Sequence, residues 1–196
     1  DADNHTGADY RPVINHIDLS TVLRRTVCDL YSDLVTRPTG AAVRDGIEKQ
    51  LSELGDRSLT VIDFSHVGLL DYSCADEIVA KLLMRYAADS APRDAYFLFR
   101  GVSDSHLDAI ETVLERHGLA IVAQADDGSV MLVGTLDDPE RRTWQAMYKL
   151  GRAMSADLAR EAGLAPDQME RVLGALCKRR LAMELDGGYV AVGAVT

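Results

Sequence analysis

Apolar residues recur at helical spacing in three stretches of the first 137 residues, and short apolar runs separate these stretches. The helical positions are Val43, Ile47, Leu51 and Leu54; then Ala75, Ile78, Val79, Leu82, Leu83 and Tyr86; then Leu107, Ile110, Val113 and Leu114. The runs at 59–64, 96–99, 119–123 and 130–133 are too short for helices and are typical of buried strands. Strands that alternate with helices predict right-handed crossovers and an α/β domain with a mostly parallel sheet.

Turn and cap residues predict where these elements begin and end. Pro38 suits a first helical turn, and Gly55 ends that helix. Ser105 and Asp108 have the spacing of a capping box for the third helix. Residues 126–129 form a tight turn between two paired strands. The stretch 13–35 leaves strand and helix open, and the polar residues 1–12 predict a flexible tail.

The pattern changes at residues 134–139, where we place a domain boundary between 13–137 and 138–196. Three short helices follow, which carry Trp144, Met147 and Tyr148, then Leu158, Ala159 and Ala162, then Met169, Val172, Leu173 and Leu176. Asp186, Gly187 and Gly188 connect the strands of a hairpin. This order of helix, helix-turn-helix and hairpin resembles the winged-helix layout.

Charge separates the same two segments. Residues 1–137 hold 12 Lys and Arg against 23 Asp and Glu, and residues 138–196 hold 9 against 8. The net charges of −11 and +1 place the acidity in the first domain, which favours a basic partner surface. Hydrophobic residues make up 47% of the chain, yet no apolar run is long enough to span a bilayer, so we expect no membrane partner.

Three scattered cysteines fit neither a disulfide framework nor a zinc site, and no secretory signal is visible, so a reducing cytoplasm is expected. The sequence opens on Asp1 rather than Met, from which we expect a partial chain. Phosphate loops and the common hydrolase motifs are absent, and the five histidines are too dispersed for a metal site. We therefore predict no catalysis, metal or cofactor. One enzymatic alternative stays open, in which His66 activates Cys74 near a helix N-terminus.

The most informative segment is VIDFSHVGLLDYSCADEIVAKLL, residues 61–83. A buried strand, a short loop and a polar turn that opens an amphipathic helix resemble the STAS domains of anti-sigma-factor antagonists. The motif Ser-x-Ala-Asp-Glu, which begins at Ser73, and residues 36–40 (TRPTG) are together similar to the divergent STAS-like branch found beside histidine-kinase-type ATPases. The resemblance covers residues 13–135. It departs from the family's Asp-Ser-Ser-Gly turn at Tyr72 and Cys74.

The resemblance implies that Ser73 is a phosphoacceptor and that the surrounding residues bind a protein partner. That surface comprises Asp71, Tyr72, Ser73, Cys74 and Asp76. The implied partner is a histidine-kinase-type ATPase or a sigma-factor regulator. An alternative is that Ser73 only caps the helix, with Asp76 reaching back as the second half of a capping box.

A winged helix would also provide candidate DNA contacts on its third helix. These are Gln168, Arg171, Lys178, Arg179 and Arg180. Asp167 and Glu170 oppose this interpretation, because carboxylates in the first turn of a recognition helix repel phosphates, and the alternative is a winged helix that docks on a protein or dimerises. We therefore predict a bacterial regulator in which a STAS-like protein-binding switch is fused to a winged helix. The alternative function is a DNA-binding transcriptional regulator whose α/β domain senses a ligand or a partner.

Overall fold

A computed structural model describes residues 11–194, so most of the predicted tail, residues 1–10, lies outside the described residues. Five strands form one sheet in the order β1-β2-β3-β4-β5. They are β1 (Val13–Asp18), β2 (Arg57–Asp63), β3 (Asp94–Val102), β4 (Ala120–Ala125) and β5 (Val130–Gly134). The first four are parallel, and β5 pairs with β4 in the antiparallel sense. The predicted α/β class with a mostly parallel sheet is therefore confirmed.

Helices follow the first three strands. They are α1 (Leu19–Thr26), α2 (Arg37–Ser52), α3 (Tyr72–Ala75), a π-helical segment (Asp76–Lys81), α4 (Leu82–Ala87) and α5 (Asp104–His117). The stretch that the sequence left open resolves into β1, α1 and a loop. The helical stripe that begins at Ala75 is buried as predicted, although it runs through the π-helical segment.

The side chains of β2, β3 and β4 alternate between two apolar cores, as the two-residue period of a strand requires. Ile62, Phe97, Phe99 and Ile121 join the core formed with α1 to α5. Leu59, Val61, Leu98 and Val122 face the opposite side of the sheet. Both faces of the central strands are therefore covered.

The C-terminal segment covers the second face. It consists of α6 (Asp138–Leu150), α7 (Ser155–Ala162), α8 (Pro166–Lys178), β6 (Ala182–Leu185), β7 (Gly188–Ala191) and a 3-10 turn (Val192–Ala194). Trp144, Met147, Leu173 and Met183 pack in one cluster with the sheet residues Leu59 and Leu98. The predicted division at residue 137 thus coincides with a change of elements, while one apolar cluster spans it.

The capping box predicted for α5 lies two residues earlier than expected. Ser103, not Ser105, is the N-cap, and its side chain accepts a hydrogen bond from the N–H of His106. The Nδ1 atom of His106 accepts the N–H of Ser103 in return, at 3.1 Å. Histidine replaces the usual Glu or Gln of this motif, and so the sequence pattern favoured the wrong serine. Among residues 11–194, no helix combines the length and apolar character that crossing a bilayer requires.

Candidate functional site

The loop that follows β2 turns into α3 at Asp71, whose carboxylate connects three parts of the chain. Its Oδ1 accepts the N–H of Cys74 at 2.8 Å and the hydroxyl of Ser73 at 2.9 Å. Its Oδ2 accepts the N–H of Thr36 at 2.8 Å. Burial opposes ionisation, but these hydrogen bonds outweigh it and lower the pKa of Asp71. Asp71 is therefore an ionised N-cap that also holds the start of α2.

Ser73 is not the cap that the sequence pattern predicted. It lies one residue inside α3, is partly exposed, and donates its hydroxyl to Asp71. Asp76 does not reach back to it, because the Asp76 carboxylate binds Arg37 and His117 instead. The predicted capping box from Ser73 to Asp76 is thus wrong. The hydroxyl of Ser73 points to an anionic neighbour at the surface.

Thr36 has a backbone conformation that β-branched residues rarely adopt, with φ of 72° and ψ of 143°. Its N–H donates to Asp71, and its carbonyl accepts the N–H of Gly40 at 3.1 Å and the thiol of Cys74 at 3.0 Å. A Cβ at Gly40 would lie 2.9 Å from the Cα of Cys74, so glycine permits α2 to approach α3 closely. The strained residue is therefore held by contacts on both sides.

Behind α3, two buried carboxylates tie the π-helical segment to α2 and α5. Asp76 accepts Arg37 Nη1 and His117 Nε2, both at 2.8 Å. Glu77, with only 2% of its surface exposed, accepts Arg37 at 2.9 Å, Lys81 at 2.6 Å and Arg44 at 3.2 Å. Burial opposes ionisation in both residues, yet their cationic partners lower the pKa of each carboxyl. A π-helical turn is frequent at functional sites, and here it carries this ionic network.

A cleft of about 580 Å³ separates α3 from α5 beside Ser73. The residues that line it are Arg37, Tyr72, Ser73, Asp76, Thr112, Val113, Glu115 and Arg116. Tyr72 is 54% exposed, and its hydroxyl lies 3.5 Å from Asp108 on α5. Within residues 11–194, Arg116 forms no hydrogen bond or ion pair. The predicted partner-binding residues Tyr72, Ser73 and Asp76 thus line one cleft, while Asp71 and Cys74 support it from behind.

Cys74 is fully buried, and burial together with the neighbouring Asp71 raises the pKa of its thiol to about 12. The thiol is therefore protonated at neutral pH, and it donates to the Thr36 carbonyl. His66 lies instead beside Asp18, with Nδ1 3.4 Å from Oδ2. The geometry gives Cys74 a packing role between α2 and α3, and gives no sign of an activated pair with His66.

The candidate DNA contacts fall into two groups. Arg171 and Lys178 are exposed on α8, although Lys178 Nζ lies 3.1 Å from the exposed carboxylate of Asp89, and Gln168 is partly exposed. Arg179 donates to Glu140 at 2.8 Å and to the Thr135 carbonyl at 2.6 Å. Arg180 pairs with Asp94, donates to the Tyr86 carbonyl at 2.8 Å, and lies 5.0 Å from the centre of the Tyr96 ring. These contacts dock the end of α8 against the rest of the chain, so only the first group is available at the surface.

Several supporting residues were not predicted from the sequence. Arg37 and His117 hold Asp76 across 39 and 41 residues of chain. His106 is buried, and its Nε2 lies 3.0 Å and 2.9 Å from the carbonyl oxygens of Val67 and Gly68 in the loop before α3. Because these partners are distant in sequence, the spacing of residues carries no signal for them.

With this geometry, the fold and site define an α/β protein with a surface cleft at the start of one helix. Comparison with protein-family models, with curated proteins and with solved structures found no match to the chain.

Proposed function

We propose that the protein is a non-enzymatic bacterial regulator in which a STAS-like unit binds a protein partner through the cleft beside Ser73. The C-terminal segment is proposed to be a winged helix, and the partner a histidine-kinase-type ATPase or a sigma-factor regulator. The observation that carries the proposal is the position of Ser73. Its partly exposed hydroxyl stands on the rim of the cleft and contacts Asp71, which fixes the neighbouring segment.

A phosphate on Ser73 would change this surface in two ways. The esterified oxygen could no longer donate to Asp71, and a dianion would stand next to an ionised carboxylate. The charge would also reach the mouth of the cleft, where Arg116 and the exposed edge of Arg37 lie. Either effect provides a means to turn partner binding on or off. The supporting features are thus the partly exposed hydroxyl, its anionic neighbour and the adjacent cleft.

The test is partner affinity in a matched pair of variants, Ser73→Asp and Ser73→Asn. Asn has nearly the size of Asp and can still donate to Asp71, so the pair isolates the charge. The protein that co-purifies from the source cells is identified and purified, and its Kd is measured by titration calorimetry. We expect the affinities of Ser73→Asp and Ser73→Asn to differ by at least about tenfold, because only Asp adds a charge at the rim of the cleft. Equal affinities would mean that Ser73 has no switching role.

A second candidate function is duplex DNA binding by α8. It is favoured by the exposed guanidinium of Arg171, which has no ion-pair partner within residues 11–194, and by the nearby exposed Lys178. The net charge of −10 opposes it, and so we expect binding to be weak and sensitive to salt. Anisotropy with a labelled duplex at 50 mM and 200 mM salt tests this. Binding that is unchanged in Arg171→Ala and Lys178→Ala would remove α8 as the DNA-contacting element.

A further inference from the structure

We infer that the loops at the carboxyl ends of the parallel strands form a docking surface for a partner protein whose apolar contact residues are surrounded by Lys and Arg. This inference rests on the proposed function, because it extends the partner-binding site from the cleft to the neighbouring loops. The surface is named here the loop ridge. Its central residues are Leu30, Tyr31, Leu69 and Tyr72.

Large apolar side chains are concentrated on this ridge and are unusually exposed. Leu30 is 90% exposed, Leu69 63%, Tyr72 54% and Tyr31 50%. Exposed apolar residues that are scattered singly need no explanation, whereas a group on adjacent segments marks an interaction site. Leu30 and Tyr31 line a shallow pocket with Asp18 and His66, and Tyr72 lines the cleft beside Ser73. The ridge therefore runs from the end of β1 to the cleft.

Hydrogen bonds hold the two segments of the ridge side by side. The N–H of Leu34 donates to the carbonyl of Leu69 at 2.8 Å, and the N–H of Asp71 donates to that of Leu34 at 3.0 Å. The N–H of Gly68 donates to the carbonyl of Ser32 at 2.8 Å, and Asp33 accepts the N–H of Leu69. A surface ordered before binding loses less conformational entropy on association, so these bonds favour docking.

The same edge of the molecule is acidic. Aspartates follow every parallel strand, at positions Asp18, Asp29, Asp33, Asp63, Asp71, Asp104, Asp108, Asp126 and Asp127. Residues 27–36, 63–75, 103–108 and 126–129 contain no Lys or Arg. Asp33, Asp63 and Asp127 bind neutral N–H or hydroxyl groups, which leave their charge in place. Four arginines adjoin this edge: Arg24 lines the pocket with Leu30, Arg37 and Arg116 line the cleft with Tyr72, and the exposed Arg100 lies beside Asp63 near the end of β3.

Charge complementarity identifies the occupant. An apolar ridge on an edge that carries nine aspartates and four arginines attracts a protein surface with apolar anchors and basic flanks, and it disfavours nucleic acid and anionic lipid. The carboxyl ends of parallel strands are also the edge at which α/β proteins bind their ligands. The cleft beside Ser73 lies at one end of the ridge. A change of charge at Ser73 would therefore alter the electrostatic interaction with the same partner.

The test begins with photo-crosslinking in the source cells. p-Benzoylphenylalanine replaces Leu30 or Leu69, and a control chain carries it at Leu150, which is 42% exposed on α6. We expect one and the same protein to be linked from positions 30 and 69 and not from 150. That protein is then purified, and its Kd is measured with wild type, the double variant Leu30→Ser/Leu69→Ser and the control Leu150→Ser.

We expect the double variant to lose at least tenfold in affinity while it melts like wild type, and Leu150→Ser to bind normally. Asp29→Asn/Asp104→Asn should slow association at low salt, because these residues provide attraction at a distance. The inference would be overturned by any of three results: crosslinks only from position 150, no crosslinks from positions 30 and 69, or an unchanged Kd in the double variant. A weakened double variant with equal Ser73→Asp and Ser73→Asn affinities would keep the ridge and remove the switch.

Discussion

At the scale of single residues, Asp71 performs the role that the sequence pattern assigned to Ser73. We predict that Asp71→Ala destabilises the protein by about 1–3 kcal/mol, because the α3 cap and the bond to Thr36 are lost together. Ser73→Ala should cost less than about 1 kcal/mol, since it removes one partly exposed hydrogen bond. Urea unfolding of both variants measures this. A loss in Ser73→Ala as large as in Asp71→Ala would restore Ser73 as the cap.

The error at this position has a physical origin. Both Asp71 and Ser73 are good N-cap residues, but only Ser73 is followed three residues later by an acid, Asp76, whereas Cys74 holds that position after Asp71. The choice between them is made by Arg37, which binds Asp76 and prevents it from completing a capping box with Ser73. That contact spans 39 residues, so no local pattern could reveal it. The chemistry of the segment was predictable from its residues, whereas the assignment of roles within it depends on tertiary contacts.

At the scale of elements, His106 connects α5 to the loop that precedes α3. Its Nδ1 accepts a backbone N–H, so Nε2 carries the proton and donates toward the Val67 and Gly68 carbonyls. We predict that His106→Ala costs about 1–3 kcal/mol and speeds amide exchange at residues 67–72. His66→Ala, in the same loop but exposed, is the matched control. Equal exchange in the two variants would show that His106 does not order the loop.

The π-helical segment gives the protein a specific response to acid. The pKa values of Asp76 and Glu77 are lowered by their cationic partners below their ordinary values of 3.8 and 4.5. Both carboxyls therefore contribute stability above about pH 4.5, and this contribution is lost as the pH falls through their lower folded-state values. We predict that Glu77→Gln is less stable than wild type at pH 7 and that the difference narrows below pH 4. Thermal melts from pH 7 to pH 3 measure it, and a constant difference would contradict the prediction.

At the scale of the whole molecule, the order of elements could be predicted from the sequence, but the packing of the C-terminal segment could not. Helical periodicity and strand-like runs identified β2 to β5, α2 and α5, because each has an apolar pattern of its own. Leu59 and Leu98 were recognised as buried strand residues, yet nothing local indicates that α6 to α8 are what covers them. Likewise, Arg179 and Arg180 belong to a basic run that is typical of phosphate contacts. Their partners in the structure are Glu140, Asp94 and Tyr96, which are distant in the chain, so no local pattern reveals them.

Division of the chain at residue 137 tests how far residues 1–137 depend on the C-terminal segment that covers their sheet. Without residues 138–196, the sheet would expose Leu59, Val61, Leu98 and Val122, together with the ring of Tyr96 that Arg180 covers. An exposed apolar sheet face of this kind promotes association. We therefore expect fragment 1–137 to bind a hydrophobic dye and to form oligomers, whereas the full chain does neither. Added fragment 138–196 should restore the monomeric behaviour, because it carries the complementary face.

Gel filtration with light scattering measures both effects. A fragment 1–137 that stays monomeric and melts like the full chain would show that the two segments are independent domains, and that the shared apolar cluster contributes little to the stability of either.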